Sequence, residues 1–411
     1  MPADVPLVRI DRSLLLGPAH VRVQLRCGAG TAGELTGVLG ELNPRRIALV
    51  TDPGLPRAHA AHVLRLLGAA APTAVLWPQL PTGGGAGLPA VPDDALVVAF
   101  GGSRVMAAAG RALRADGTRP PLVRLPTTLR AMSDSALSVA DGTGGPGAAP
   151  LLVRIQAEFL DTLPPRALRA GLSPLLRTVL AVVPGSAARV AARLRPGGGY
   201  GPEVLLSFVS LCVEARSALC LHDPLERGPA AAFRYGEGVA RAVAGLSPGI
   251  PYGEALAAGL RASAAVARAL GLLSAADEAA HEDLLARAGA ARTLPGGIEP
   301  GRVAAAVTGG GRSAPMVLLR GPGEPYAHGG GLFTEVGADL LHEALAALAP
   351  ARRVPGPDRD RERIAAPRGR DGGRTRLGGA SASRADGASA PLADGTSTPL
   401  ADRASAPFPR L

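Results

Sequence analysis

The chain contains no lysine: all 44 of its Lys-plus-Arg residues are arginine. That excludes a Schiff-base nucleophile or a shuttling amine near neutral pH, yet leaves side chains that clamp carboxylate and phosphate well. Aromatics make up only 3% of the sequence, so Ala, Leu and Val must do most of the packing, and a 47% apolar content permits a sizeable core. The three cysteines, Cys27, Cys212 and Cys220, have no tight pair spacing, which argues against structural zinc and against a disulfide framework. There is no run of about 18 uncharged apolar residues and no charged start leading into an apolar segment. The expectation is a soluble, cytoplasmic protein with no membrane partner.

The formal charge of +10 is unevenly spread. Residues 351–411 hold 12 arginines against 7 acidic residues, about half of the excess. The remainder is diluted along the chain, with no basic stripe interleaved with aromatics, so nucleic acid is not an expected partner.

Strand and helix signals alternate in the first third. "RRIALVTDP", "TAVLWPQ", "ALVVAFGGS" and "PLVRLPTT" read as buried strands; "AHVLRLLGAAA" and "RVMAAAGRALRA" have helical spacing. "PTGGGAGLPAVPDD" is a flexible connector. The pattern predicts a parallel sheet covered on both faces, over residues 1–150. Beyond about Leu151 strand signals fade, and Gly- or Pro-separated segments of helical period predict an all-α domain over 151–350. Residues 351–411 turn to Arg, Pro, Gly and Ser and finish in an eight-residue repeat, "ADGASAPL", "ADGTSTPL", "ADRASAPF". Such a segment buries too little to offset its ordering entropy, so a disordered tail is expected.

Glycines after a buried strand, as in "VVAFGGSRV", let a backbone approach a dinucleotide's phosphates, although a plain strand-to-helix turn explains a Gly-Gly pair equally well. More specific is the order of "VTDPGLP", "AFGGS", "LPTTLRAMSDSA", "FLDTLPPRALRAGLSP", "HDPLERG", "FRYGEGVARAVA", "PYGEALAAGL" and "ARALGLL". In that order and spacing they resemble 3-dehydroquinate synthase and its sugar phosphate cyclase relatives, from about Ala48 to Ala349. The resemblance implies a nucleotide-binding, Rossmann-like α/β domain followed by a helical metal and substrate domain, with the active site between them. It implies NAD and a divalent metal, zinc or cobalt. The implied reaction transiently oxidises an alcohol, eliminates phosphate and closes a carbocycle, the metal polarising a carbonyl. It also implies a homodimer, or a heterodimer with an active homologue.

Carried over residue by residue, the resemblance places the three metal-ligand positions at Pro174 in "AGLSPLLR", Glu237 in "YGEGVAR" and Tyr252 in "YGEAL". Only Glu237 is an ordinary ligand, whereas a catalytic divalent ion needs about three, so no bound metal is expected. A family histidine is replaced by Arg241, a fixed cation that does not exchange protons in the working pH range. Arg234 stands for an asparagine and Arg177 for a lysine of the substrate site. No catalytic position is intact. On the cofactor side the resemblance implies Asp52, Gly101, Gly102, Ser103, Thr127, Thr128, Leu129, Asp134, Ser135, Phe159, Thr162 and Leu163, with Ser103 replacing a third glycine and Ala107 an aspartate. NAD stays possible.

The expectation is a sugar phosphate cyclase homologue that has lost its cyclase chemistry and acts as a non-catalytic subunit or regulator of carbocycle biosynthesis. The alternative is an active, divergent NAD- and metal-dependent cyclase or lyase that eliminates phosphate from a sugar phosphate. Asp134, Glu237 and Glu254 together would make a rearranged metal site, but carboxylates at helix ends more often pair with arginines such as Arg241. His222 in "LHDPLERG" reads as a structural hydrogen-bonding group, His281 and His342 as surface groups, and "LLSFVSLCVEARSALCL" as a packing face.

Overall fold

The computed structural model describes residues 8–16, 19–29, 32–77, 88–115, 120–139, 148–295 and 297–349. The glycine run of the connector and the expected disordered tail lie outside the described residues.

A seven-stranded sheet organises the first half, in the order β1-β2-β7-β6-β5-β3-β4. Its strands are β1 (Val8–Leu16), β2 (Ala19–Gly28), β3 (Arg46–Thr51), β4 (Thr73–Leu76), β5 (Ala95–Gly101), β6 (Leu122–Pro126) and β7 (Leu152–Gln156). Every pairing is parallel except β1 with β2. The central strands β5 and β6 are buried along their whole length, which is why they read as continuous apolar runs. Helices α1 (Ala32–Leu42), α2 (Arg57–Ala70) and α3 (Ser103–Ala115) alternate with the strands. All four expected strands are present. Three were not anticipated: the β1–β2 hairpin and β7, which extends the sheet past the boundary expected at 150. In β2 the residues alternate, with Val23, Leu25 and Cys27 each 1% exposed while Arg22, Gln24 and Arg26 face away.

The second half is mainly helical: α4 (Pro165–Gly171), α5 (Ser173–Ala181), α6 (Ala187–Ala191), α7 (Pro202–Cys220), α8 (Glu237–Leu246), α9 (Tyr252–Ala269), α10 (Ala275–Arg287), α11 (Pro300–Thr308) and α12 (Ala338–Ala346). It also carries two small antiparallel ribbons that its periodicity did not announce, β8 (Ser313–Val317) with β11 (Phe333–Gly337) and β9 (Leu319–Gly321) with β10 (Glu324–Pro325). Sheet and helices share one continuous apolar core. No single helix among the described residues is long and apolar enough to cross a membrane.

One close backbone contact sets two of these helices against each other. Gly236 adopts φ +77 immediately before α8, in the left-handed region that favours glycine. Its carbonyl lies against Gly259 of α9, where an added Cβ would come within 2.1 Å of that oxygen. Backbone-to-backbone approach of this kind sets the start of α8, and hence Glu237, beside α9. The histidine expectations divide. His342 is exposed, whereas His281 is only 1% exposed, with Nδ1 2.7 Å from the Asp277 carbonyl and its ring edge-on to Tyr235. Its acidic neighbours in sequence suggested the surface, but its side chain lies on the inner face of α10. His222 is exposed as well; the hydrogen bonds in its loop come from Asp223, which accepts from the backbone N–H groups of Arg227, Gly228 and Ala230.

Candidate functional site

Two cavities open at the carboxyl ends of the parallel strands, where this kind of sheet places its ligands. The first, about 470 Å³, brings together Asp52, Gly102, Ser103, Thr127, Thr128, Phe159, Thr162 and Leu163 from the expected cofactor set. Asp52 follows β3 and accepts a hydrogen bond from the Gly54 N–H at 2.8 Å. Gly102 precedes α3, and a Cβ there would stand 3.3 Å from the Thr128 methyl, a tight contact that glycine avoids. Thr127 is 3% exposed and its buried hydroxyl has no partner. His59, absent from the expected set, lines the same cavity, with Nε2 3.2 Å from the Thr162 hydroxyl. A glycine opening, a helix start and an orphaned hydroxyl fit the phosphate-bearing part of a nucleotide such as NAD. Gly101 and Leu129 do not line the cavity: a Cβ on Gly101 would meet Val105, and Leu129 is buried against Gly171.

The second cavity, about 260 Å³, is the cleft between the sheet and the helical half. It collects Asp134, Ser135, Arg177, Arg234, Glu237, Arg241 and Tyr252. Asp134 and Ser135, expected to face the cofactor, therefore line the cleft. They sit on a π-helical turn, Ala131–Ser135, that follows β6, a deformation frequent at functional sites. The Ser135 hydroxyl donates to that of Ser103 at 2.8 Å. The cleft lining carries seven arginines against three carboxylates, Asp134, Glu226 and Glu237, so its balance is strongly positive.

Those carboxylates are each engaged. Asp134 accepts from Arg177 at 2.6 Å and also from Arg216, both arginines being 3% exposed. Burial alone would raise the Asp134 carboxyl, but Arg177, Arg216 and Arg130 outweigh it and hold it down at about 2. Glu226 has φ 56, unusual for a residue with a side chain, and is fixed by Arg216 at 2.5 Å and by the Ser138 hydroxyl at 3.0 Å. Glu237 opens α8, accepting from Arg234 on one oxygen at 3.0 Å and from Arg241, one turn on, at 2.7 Å on the other. Burial pushes its carboxyl up, and Arg241, Arg177 and Arg234 together bring it below the ordinary value.

At the three positions that the resemblance implies for metal ligands, the donors present do not make a site. Pro174 is buried in α5 and has no side-chain donor. Both oxygens of Glu237 are occupied by guanidiniums. Burial pushes the Tyr252 phenol up to about 12, so it stays protonated, and Arg130 lies over its ring. Glu254 is held bidentately by Arg166 at 2.7 and 3.0 Å and does not line the cleft, which dissolves the rearranged set with Asp134 and Glu237. Among the described residues no group of three or more His, Cys, Asp or Glu is placed to hold a metal ion. These residues do not fit a catalytic divalent ion, which takes about three protein ligands.

Sequence reasoning missed Arg130, Arg216 and Glu226. Arg216 lies within a segment read as packing, on the stripe that buries Cys212 and Cys220 one turn away on either side. An arginine at an apolar helix position was the available signal, since a buried cation needs a partner. Arg130 interrupts "PTTLRAMSDSA", and its charge there was the corresponding clue.

Strand order, ligand cavities at the strand ends and a helical half closing over them define an α/β nucleotide-binding fold of the sugar phosphate cyclase type. Solved structures agree on the fold. A 2-deoxy-scyllo-inosose synthase complexed with carbaglucose-6-phosphate, NAD+ and Co2+ superposes with a TM-score of 0.71 at 23% identity, covering 82% of this chain and 99% of that one. ValA, a 2-epi-5-epi-valiolone synthase from Streptomyces hygroscopicus with NAD+ and Zn2+ bound, gives 0.60 at 20% identity, covering 82% and 99%. No protein-family model matches the chain. Its sequence is 30% identical to 2-deoxy-scyllo-inosose synthase of Streptomyces kanamyceticus over 81% of this chain and 93% of that protein. It is 31% identical to that of Streptoalloteichus tenebrarius over 80% and 94%. The chain belongs to the 2-deoxy-scyllo-inosose synthase family of sugar phosphate cyclases.

Proposed function

We propose that this member of the family no longer carries out metal-dependent cyclisation and serves as a non-catalytic, ligand-binding subunit or regulator of carbocycle biosynthesis. In this reading it works in the cytoplasm, as a homodimer or paired with an active homologue. One observation carries the reading: Glu237, the one ordinary ligand among the three family metal positions, is held on both oxygens by Arg234 and Arg241. A divalent ion would have to displace two guanidiniums and would still gain a single carboxylate. Proton transfer is weakened in the same way. Among the described residues lining the cleft there is no histidine, and its arginines do not exchange protons near neutral pH.

What the two cavities retain is binding capacity. The strand-end cavity fits a nucleotide, and NAD is its family ligand. The cleft's surplus of guanidiniums favours an anionic group, which charge-assisted hydrogen bonds hold well. Metal analysis of the dialysed full-length protein, run beside a phosphate-release assay with glucose 6-phosphate, NAD and Co2+, tests the proposal. The expected result is metal well below one ion per chain and no phosphate above background. Stoichiometric zinc or cobalt, or phosphate release that a chelator abolishes, would overturn it and favour an active cyclase.

A further inference from the structure

Arg130 belongs to both cavities. It lines the strand-end pocket together with Thr127 and Thr128, and it lines the cleft together with Asp134 and Tyr252. Its guanidinium carbon is 3.7 Å from the centre of the Tyr252 ring. Its Nε is buried without a hydrogen-bond partner, and no carboxylate pairs with it among the described residues. The junction of the two cavities thus holds a positive charge braced by an aromatic face; Asp134 and Glu237 act on it through space, but neither makes an ion pair with it.

A dinucleotide that transfers hydride must present its nicotinamide to the bound substrate, so the ring has to reach that junction. In the oxidised cofactor the ring is a cation. Bringing it to a guanidinium that no carboxylate contacts, in a lining with seven arginines against three carboxylates, is repulsive, and the partly water-excluded setting strengthens the repulsion. A terminal phosphate at the same place would instead gain a charge-assisted hydrogen bond. The rest of the pocket suits phosphates too. Gly102 and Ser103 lie at the start of α3, and the Thr127 hydroxyl, on a residue 3% exposed, is unpartnered and lines the cavity. Asp52, the carboxylate lining the pocket, accepts from the Gly54 N–H and lies 3.8 Å from Arg104.

We infer that Arg130 makes the strand-end pocket selective for a nucleotide ending in phosphate, a nucleoside di- or triphosphate, over an oxidised nicotinamide dinucleotide. The inference rests on the reading of this pocket as a nucleotide site, and it is independent of whether the cleft retains any chemistry.

Calorimetric titration of the full-length protein with ADP, ATP, NAD+ and NADH, in the presence of EDTA, tests it. ADP should bind at least tenfold more tightly than NAD+, and NADH, whose reduced ring is uncharged, more tightly than NAD+. Arg130→Leu should bring the ADP and NAD+ affinities together by at least tenfold, while Arg130→Lys keeps the wild-type order. Thr127→Val should weaken all four ligands without changing their order. Should Arg130→Leu fold poorly for want of its stacking partner, Arg130→Gln tests the same charge. The ranking in the unmodified protein needs no variant at all. NAD+ binding as tightly as ADP, or an order unmoved by removing the charge, overturns the inference while leaving the pocket a nucleotide site. No heat with any of the four overturns both. Metal content and phosphate release bear only on the proposed function.

Discussion

Arg130 stacks face-on over Tyr252, its guanidinium carbon 3.7 Å from the ring centre. The contact joins the turn after β6 to the first residue of α9, so it fastens the helical half to the sheet at the mouth of the cleft. Tyr252→Phe keeps the ring and loses only the phenol's hydrogen bond with Arg241, and should cost about 1 kcal/mol. Tyr252→Ala removes the stacking and leaves a cavity, with an expected loss of roughly 3 kcal/mol. Denaturant unfolding of the two variants checks the difference; equal losses would mean that the stacking contributes nothing.

Asp134 is shared by two arginines that are each 3% exposed. Asp134→Asn leaves Arg177 without its carboxylate and Arg216 with Glu226 alone, which should destabilise the fold by about 3–5 kcal/mol. A loss below about 1 kcal/mol in urea unfolding would show that the buried cluster relaxes freely.

The same carboxylate makes stability depend on acid. Its folded-state value, about 2, lies below the ordinary 3.8. A depressed carboxyl contributes stability that is fully present above the unfolded value and is lost as pH falls through the folded one. The contribution, roughly 2 kcal/mol, should fade between about pH 4 and pH 2. Unfolding free energies measured across that window should fall less steeply in Asp134→Asn than in the unmodified protein.

Gly259 faces the Gly236 carbonyl so closely that a Cβ would come within 2.1 Å of it. Gly259→Ala should cost about 2–3 kcal/mol, because two helix backbones must move apart. Gly238 is exposed on α8, and a Cβ there would meet Val307 at an ordinary 3.8 Å. Gly238→Ala should be neutral or stabilise by a few tenths of a kcal/mol. Thermal unfolding midpoints that shift alike in the two variants would contradict the close approach.

All three cysteines are buried and free. Burial pushes the Cys27 thiol up to about 11 and Cys212 up to about 12, so little thiolate exists near neutral pH. A thiol reagent at pH 8 should label the native protein slowly and the denatured chain at all three positions. Rapid native labelling would place at least one thiol near the surface.

Much of the architecture was legible because it rests on local pattern. The strands β3 to β6 are short apolar runs bounded by turn residues, and the glycines after β5 marked the turn into α3, where Gly102 lines the strand-end cavity. The hairpin strand β2 carried a readable signal in the alternation of "HVRVQLRC". The ribbons in the helical half did not, being short and paired with residues well ahead in the chain. His281 shows the same limit at a single side chain. Acidic neighbours along the helix suggested exposure, but burial depends on which face of α10 meets Tyr235.

The amino-acid sequence alone determined that no lysine serves this protein and that proline and tyrosine stand at two positions where the family resemblance implies metal ligands. Side-chain chemistry limits what such residues can coordinate, wherever the fold carries them. Only the tertiary structure decided which charges meet. Asp134 finds its arginines 43 and 82 residues away, and Arg130 reaches the boundary of two cavities. Electrostatic energy depends on distance and exclusion of water, and neither is set by spacing along the chain.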